Sequence, residues 1–130
     1  MHAMTIVDFL NLASQCPINL IKLEAFERFY GVAFSEEAEG YFCALPDGEF
    51  LEAENGRFAH VLDSDTILLS EELISRDFTD RRLLPLIDLG DGDYICYVGD
   101  EQTWGCYSIA DRCLYCAFST LPEVLSELAL

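Results

Sequence analysis

The first third of the chain carries apolar residues at the three- and four-residue spacing of amphipathic helices. In the first such segment Ile6, Phe9, Leu10 and Ala13 recur on one face. Thr5 precedes them and is a suitable helix N-cap, because its hydroxyl can accept a hydrogen bond from the first turn. The pattern predicts a short first helix that buries this face.

Two further helices are predicted before residue 46. Pro17 fits the first turn of the second helix, and Gly31 would end it. Ser35 would cap the third helix, and the turn sequence Pro46-Asp47-Gly48 would end it. The residues expected to be buried are Ile18, Ile21, Phe26 and Phe29 in the second helix, and Ala38, Tyr41, Phe42 and Leu45 in the third.

From about residue 49 the apolar residues come in short runs separated by turn residues, which is typical of β-strands. The runs are residues 49–53, 57–62, 66–69, 84–89, 93–98, 104–109 and 113–117. Asn55-Gly56, between the first two, is a strong hairpin signal. Ser70-Glu71-Glu72 resembles a capped helical turn. A last helix is predicted over 120–130, with Pro122 in its first turn and one apolar face formed by Leu121, Val124, Leu125 and Leu128.

Helices first, then strands joined by hairpins, then one helix predict an α+β fold with helices on one face of an antiparallel sheet. The length of 130 residues fits a single domain over residues 1–130. The opening Met-His-Ala-Met suggests that residues 1–3 are a cloning remnant before Met4.

Charge is the most unusual global property of the chain. Seven basic residues stand against 24 acidic ones, which gives a formal charge of −17. Such a surface repels nucleic acid and anionic membranes, so neither is an expected partner. It would attract a basic protein and speed the encounter. The alternative is that the acidity only keeps the protein soluble.

The six cysteines fit reduced, mostly buried thiols better than a disulfide framework, because the apolar content suffices for a core and no export signal is recognised. Together with the lack of a sufficiently long apolar run for a membrane helix, this predicts a cytoplasmic protein. Cys113 and Cys116 form a single C-x-x-C in a predicted strand. A zinc ribbon needs two such pairs, so packing is the preferred interpretation.

The segment Gly90-Asp91-Gly92-Asp93 concentrates acids and glycines between two apolar strands, so metal and phosphate binding have to be considered. Counted from Asp88, the sixth position is Asp93 rather than the glycine of a calcium loop, and the twelfth is Gly99 rather than glutamate. No lysine follows, as a Walker loop requires. A polar β-turn is the interpretation that remains.

Catalysis has little material in this sequence. The two histidines are His2, at the N-terminus, and His60, in a predicted strand. No nucleophile-elbow or zincin pattern is present, and carboxylate pairs arise by chance at this acid content. We therefore expect no enzyme, no cofactor and no metal. An active site would need a pocket of acids around His60.

Trp104, the only tryptophan, lies in the strand region near Tyr94, Tyr97 and Tyr107. Asp100, Glu101 and Asp111 flank it along the chain. Aromatic side chains ringed by acids are typical of a protein-binding surface. Alternatively these rings are simply part of the core.

Several motifs occur in an order that resembles the SUKH superfamily, the Smi/Knr-like domains. They are Leu23-Glu24 in an early helix, Gly31-Val32-Ala33-Phe34-Ser35 before a helix with Tyr41-Phe42, Leu-Pro-Leu-Ile-Asp-Leu-Gly entering Gly-Asp-Gly-Asp-Tyr, and Phe118-Ser119 before the last helix. The resemblance spans about residues 18–129. The family's Leu-Pro and its Asn-Gly turn can be matched either to Phe34-Ser35 and Asp47-Gly48 or to Leu45-Pro46 and Asn55-Gly56.

The resemblance implies an α+β domain with helices on a strongly twisted, mainly antiparallel sheet. It implies an immunity protein that binds and neutralises a toxin, often a nuclease, or alternatively a regulatory hub, without catalysis or cofactor. Glu24 matches the family's early acid, Asp91 and Asp93 match its Gly-Asp turn, and Trp104 matches an aromatic in the next strand. With the neighbouring acids, the expected partner-binding residues are Glu24, Asp91, Asp93, Asp100, Glu101 and Trp104.

Overall fold

The computed structural model describes residues 4–15, 17–30, 34–44, 50–52, 58–62, 83–99 and 101–127. Over these ranges it contains four helices and seven strands. The helices are α1 (Ile6–Gln15), α2 (Leu20–Tyr30), α3 (Glu36–Glu39), which a π-helical turn (Gly40–Ala44) continues, and α4 (Leu121–Glu127). The strands are β1 (Met4–Thr5), β2 (Phe50–Glu52), β3 (Phe58–Val61), β4 (Leu83–Asp88), β5 (Asp93–Val98), β6 (Thr103–Ser108) and β7 (Cys113–Phe118). The predicted α+β class is confirmed.

The strands form one sheet in chain order from β1 to β7. Every neighbouring pair from β2 onward is antiparallel, whereas β1 pairs in parallel with β2 through Met4 and Thr5. The prediction of a mainly antiparallel sheet is therefore confirmed. β1 was missed because two residues are too few to show the alternation of a strand.

Two predicted helix caps are present. Thr5 Oγ1 accepts a hydrogen bond of 3.1 Å from the backbone N–H of Asp8, and Ser35 Oγ accepts one of 3.2 Å from that of Ala38. Each bond satisfies a backbone donor that has no partner within the first turn. The starts of α1 and α3 thus follow from local sequence.

The predicted start of α2 at Pro17 is wrong. Asn19 caps this helix, since its Oδ1 accepts hydrogen bonds of 3.1 and 3.2 Å from the backbone N–H groups of Ile21 and Lys22. Ile21, expected to be buried, is 81% exposed. Phe26 is buried as predicted, whereas the side chain of Phe29 lies outside the described part.

All four helices bury apolar side chains against one face of the sheet, here called the helix face. The cluster includes Phe9, Phe26, Phe42 and Leu121 from the helical segments and Leu51, Ile87, Ile95, Tyr97 and Trp104 from the strands. On the opposite face, here called the outer face, Leu83, Cys96, Val98 and Tyr107 form a second buried cluster. Because residues alternate between two buried faces, the central strands are almost continuously apolar.

The hairpin around Asn55-Gly56 is supported by its flanks, since β2 and β3 pair antiparallel with Leu51 opposite Ala59. The turn itself lies outside the described residues. So do the predicted strand 66–69, the predicted helical turn at Ser70-Glu71-Glu72, and Gly31, Leu45 and Leu128. Among the helices that are described, none has the length and apolar character to cross a membrane.

Candidate partner-binding site

The segment from Asp88 to Asp93 forms the predicted turn between β4 and β5. Asp88 Oδ1 accepts a hydrogen bond of 2.8 Å from the N–H of Gly90, and Asp91 Oδ1 accepts one of 3.2 Å from that of Asp93. Gly90 and Gly92 have φ of 85° and 91°, a region that L side chains rarely adopt. Two of the aspartates therefore hold the turn, and the glycines allow its backbone conformation.

The described residues contain no group of three or more His, Cys, Asp or Glu side chains that could hold a metal ion. At the turn itself, Oδ2 of Asp93 accepts a hydrogen bond of 2.8 Å from the Tyr115 hydroxyl on β7. A hydrogen bond with Cys106, partial burial and the Asp93 carboxylate together raise the pKa of Tyr115. The carboxylate of Asp93 therefore already has a hydrogen-bond partner within the protein.

The predicted acidic residues do not form one cluster. Asp91 and Asp93 lie at the start of β5, whereas Glu101 lies beyond its other end. A six-residue strand spans roughly 17–20 Å, so these acids occupy opposite ends of the sheet. Glu24 is exposed on α2, and Asp100 lies outside the described residues.

Asp111 joins Asp91 at its end of the sheet. The turn at residues 109–112 contacts the turn at residues 89–92, because the N–H of Ile109 donates a hydrogen bond of 3.1 Å to the Gly92 carbonyl. Asp91 and Asp111 are both exposed there. This end of the sheet therefore presents acidic side chains from two adjacent turns.

Trp104 does not lie on a surface. Its side chain is completely buried on the helix face, as are those of Tyr97 on the same face and Tyr107 on the outer face. The indole stacks on Phe42 at a centroid distance of 5.9 Å and meets Tyr41 edge-on at 5.6 Å. The alternative that these rings belong to the core is confirmed for all three, and the ring of Trp104 has no exposed face to offer a partner.

Trp104 is instead linked to a carboxylate that the sequence did not single out. Its Nε1–H donates a hydrogen bond of 2.7 Å to Oε1 of Glu37 on α3. Oε2 of Glu37 accepts a hydrogen bond of 3.3 Å from the backbone N–H of Leu121, the first residue of α4. One half-buried carboxylate therefore joins β6, α3 and α4.

Burial raises the pKa of Glu37, since it disfavours the charged carboxylate. The hydrogen bonds from Trp104 and Leu121 act in the opposite direction but do not compensate for the burial, and the nearby Glu123 adds to the increase. Burial, followed by the charge of Glu37, raises the pKa of Tyr41 to about 12. This region is thus negatively charged and incompletely solvated.

Glu37 lines a cavity of about 550 Å³. The cavity lies between α1, the residues that precede α2, and α3, and its lining consists of Leu10, Ala13, Ile18, Glu36, Glu37, Glu39, Gly40 and Tyr41. It opens to solvent, since Glu36 is exposed and Leu10 and Ile18 are only half-buried. Concave surfaces that combine apolar area with a few convergent polar groups are typical binding sites.

Gly40 brings two walls of this cavity together. A Cβ atom at this position would lie 3.3 Å from the carbonyl oxygen of Ala13 on α1, which is closer than ordinary van der Waals contact. Gly40 is also the first residue of the π-helical turn, and the next two residues of that turn, Tyr41 and Phe42, are buried in the core. A small residue at position 40 therefore allows α3 to lie against α1.

The available signal for this site was the sequence Ser35-Glu36-Glu37-Ala38-Glu39. Ser35 is the predicted cap of this helix, and acids in a first helical turn are common because they complement the helix dipole. Nothing local distinguishes Glu37 from its neighbours. Its role depends on Trp104 and Leu121, which are 67 and 84 residues away.

His60 does not meet Asp93. Its ring stacks on Phe50 at a centroid distance of 4.5 Å, and it lies opposite Asp88 in the sheet register. Because the following residue, Val61, belongs to the helix-face core, His60 points to the outer face. Asp93 alternates with Ile95 of that core and so lies on the helix face. The acid pocket around His60 that catalysis would need therefore does not include Asp93.

Cys96, Cys106 and Cys113 form no disulfide bond. Cys96 and Cys106 are buried, as expected, and burial strongly raises the pKa of Cys96. Cys113 is exposed at the start of β7, whereas the side chain of Cys116 is outside the described part.

Comparison of the chain with protein-family models, curated proteins and solved structures finds no match.

Proposed function

We propose that this protein is a non-catalytic binding domain that recognises a basic protein partner through its acidic surface. The observation that carries the proposal is the open cavity between α1 and α3, which glutamates line in a chain of formal charge −17. Complementary charge increases the rate of encounter and selects against acidic partners. Asp91 and Asp111 at one end of the sheet and Glu24 on α2 are further exposed acidic side chains.

The partner that we propose is a toxin, such as a basic nuclease, which the protein would neutralise as an immunity protein. The support is the resemblance of the sequence to the SUKH superfamily. The motifs that carry this resemblance are spread over nearly the whole chain. A non-catalytic inhibitor needs only a complementary surface, and a cavity lined by three glutamates supports this function for a basic partner. The buried thiols of Cys96 and Cys106, which form no disulfide bond, are compatible with a reducing cytoplasm, where such a toxin would act.

Co-expression tests this proposal. Toxin domains encoded beside the gene would be expressed in a sensitive host with and without this protein, and growth and co-purification would be measured. We expect restored growth and a stable complex with one basic toxin domain. If none of these toxin domains is neutralised and none forms a complex, the proposal is wrong. A complex with a regulatory protein instead would favour the hub function.

A further inference from the structure

We propose that the cavity between α1 and α3 is a subsite for one arginine side chain of the protein partner, with the aliphatic part on Leu10 and Ile18 and the guanidinium against Glu36, Glu37 and Glu39. This inference rests on the proposed function and specifies what the partner inserts. It states that the cavity recognises one particular side chain, in addition to the general attraction that the net charge exerts on a basic partner.

The apolar part of the lining fits the stem of such a side chain. Leu10 and Ile18 are half-buried and still reach solvent, and the buried Ala13 adds apolar surface to the same lining. The methylene groups of arginine gain free energy by covering such surface while the charged end stays polar. A small inorganic cation would leave this apolar surface exposed to water.

The charged part of the lining fits the end of the side chain. Glu36, Glu37 and Glu39 lie within one turn of α3, and the cavity lining, as far as the structure describes it, contains no basic residue. A guanidinium has five N–H donors in a planar fork that matches carboxylate oxygens. Arginine can therefore form paired hydrogen bonds with a carboxylate of this lining, which an ammonium does less well.

Glu37 is held in place before any partner arrives. Its two oxygens accept hydrogen bonds from Trp104 Nε1 and from the N–H of Leu121. Each carboxylate oxygen has two lone pairs, so one per oxygen stays available. Since burial already disfavours the charge of Glu37, a nearby guanidinium would supply the solvation that the site lacks. A fixed carboxylate also costs less conformational entropy on binding.

The volume is compatible with this occupant. A cavity of about 550 Å³ is within the usual range for ligand sites and is larger than one arginine side chain. The remaining space can hold water or the residues that flank the arginine in the partner.

Trp104 provides the readout, because it is the only tryptophan and donates its N–H to Glu37. The probe is the tripeptide acetyl-Leu-Arg-Leu-amide, titrated at low salt while Trp104 emission is followed, with calorimetry for the variants. We expect a saturable change in emission. The same peptide with citrulline, which is neutral and nearly isosteric, should give none at equal concentration, and the lysine peptide should bind several-fold more weakly.

The variant Glu36→Gln/Glu37→Gln/Glu39→Gln should bind the arginine peptide at least about tenfold more weakly than the wild type. Its matched control is Glu27→Gln/Glu52→Gln/Glu127→Gln, which removes the same charge from exposed positions outside the cavity and should change affinity by less than about threefold. If the triple cavity variant does not fold, Glu36→Gln/Glu39→Gln, which leaves the Trp104 hydrogen bond intact, should still weaken binding several-fold.

Equal binding of the arginine and citrulline peptides, or wild-type affinity in the cavity variants, would overturn the subsite. The proposed function fails separately. If the cavity variants bind a basic toxin as tightly as the wild type does, the subsite is wrong and the binding function stands. If the arginine peptide binds but no toxin is bound or neutralised, the subsite stands and the immunity function is wrong.

Discussion

The indole Nε1 of Trp104 lies 2.7 Å from Oε1 of Glu37, although the two residues are 67 positions apart in the chain. The bond satisfies the polar atom of a completely buried side chain with an acceptor that also lines the open cavity. The other oxygen of Glu37 accepts from the N–H of Leu121 at the start of α4. The interior of the protein is thereby connected to its candidate binding site through one carboxylate.

Glu37→Ala should destabilise the protein by about 1–3 kcal/mol, because it leaves the buried N–H of Trp104 without an acceptor. Glu37→Gln should cost less, since its amide oxygen can accept the same bond. Chemical denaturation followed by Trp104 emission measures both, with Glu27→Ala on the exposed face of α2 as the control. Equal free energies of unfolding for Glu37→Ala and this control would contradict the assigned role.

Glu37 should also give stability a distinct pH dependence. Its folded-state pKa is raised above the ordinary value of 4.5, so the folded state holds this proton more tightly than the unfolded state. The contribution is fully present below pH 4.5 and is lost as the pH rises through the folded-state pKa. The free energy of unfolding of the wild type minus that of Glu37→Gln should therefore fall across this window. Denaturation curves from about pH 3.5 to about pH 7 test this, and a difference that rises would show that the pKa is lowered instead.

Ser35→Ala should destabilise the protein by about 1 kcal/mol, because it removes the acceptor for the N–H of Ala38 at the start of α3. Ser126→Ala is the matched control, since Ser126 is exposed in α4 and should tolerate the change within about 0.5 kcal/mol. Thermal unfolding of the two variants in parallel gives the comparison. A loss of the same size at both positions would mean that the cap contributes nothing specific.

Gly90→Ala should destabilise the protein by about 1–2 kcal/mol through its backbone alone. A Cβ atom there would meet no atom within 4 Å, but φ is 85°. Gly90→Asn should cost less, because asparagine tolerates positive φ better than alanine. Denaturant midpoints of the two variants test this order of stability. A steric or purely electrostatic role of this turn would not make Gly90→Asn more stable than Gly90→Ala.

If charge steers the partner, its association rate constant should fall by about tenfold or more as the salt concentration rises from about 50 mM to about 500 mM. The dissociation rate constant should change much less, because short-range contacts govern it. Stopped-flow or surface-based kinetics with the basic toxin domain measures both. An association rate independent of salt would exclude steering by the net charge of −17, whatever the affinity.

Local sequence sufficed for much of the fold. Thr5 and Ser35 cap the helices they were predicted to cap, and β5 has the predicted bounds of residues 93–98. The aspartate and glycine turn follows from hydrogen bonds between residues two apart. The predicted start of α2 is wrong because two competing local signals, Pro17 and Asn19, lie close together. The side chain of Asn19 caps the helix, which therefore begins after it.

The candidate site could not be derived in this way. Most of the acids predicted to bind a partner lie near Trp104 along the chain, but Asp91 and Glu101 lie at opposite ends of β5 and the tryptophan is buried. Proximity in sequence is a poor guide here, since a strand carries its two ends apart while the sheet and helices bring distant residues together. Glu36, Glu37 and Glu39 line the cavity because α3 lies against α1 at Gly40.

The sequence by itself determined the α+β class, the order of the described elements other than β1, most of their bounds and the strong negative charge. These depend on apolar periodicity, caps and turns, which act over a few residues, and on composition, which needs no fold. Only the tertiary structure decided that Trp104 is buried and that Glu37 is the carboxylate it contacts. That pairing depends on burial and hydrogen bonding between segments 67 residues apart, and no local pattern encodes it.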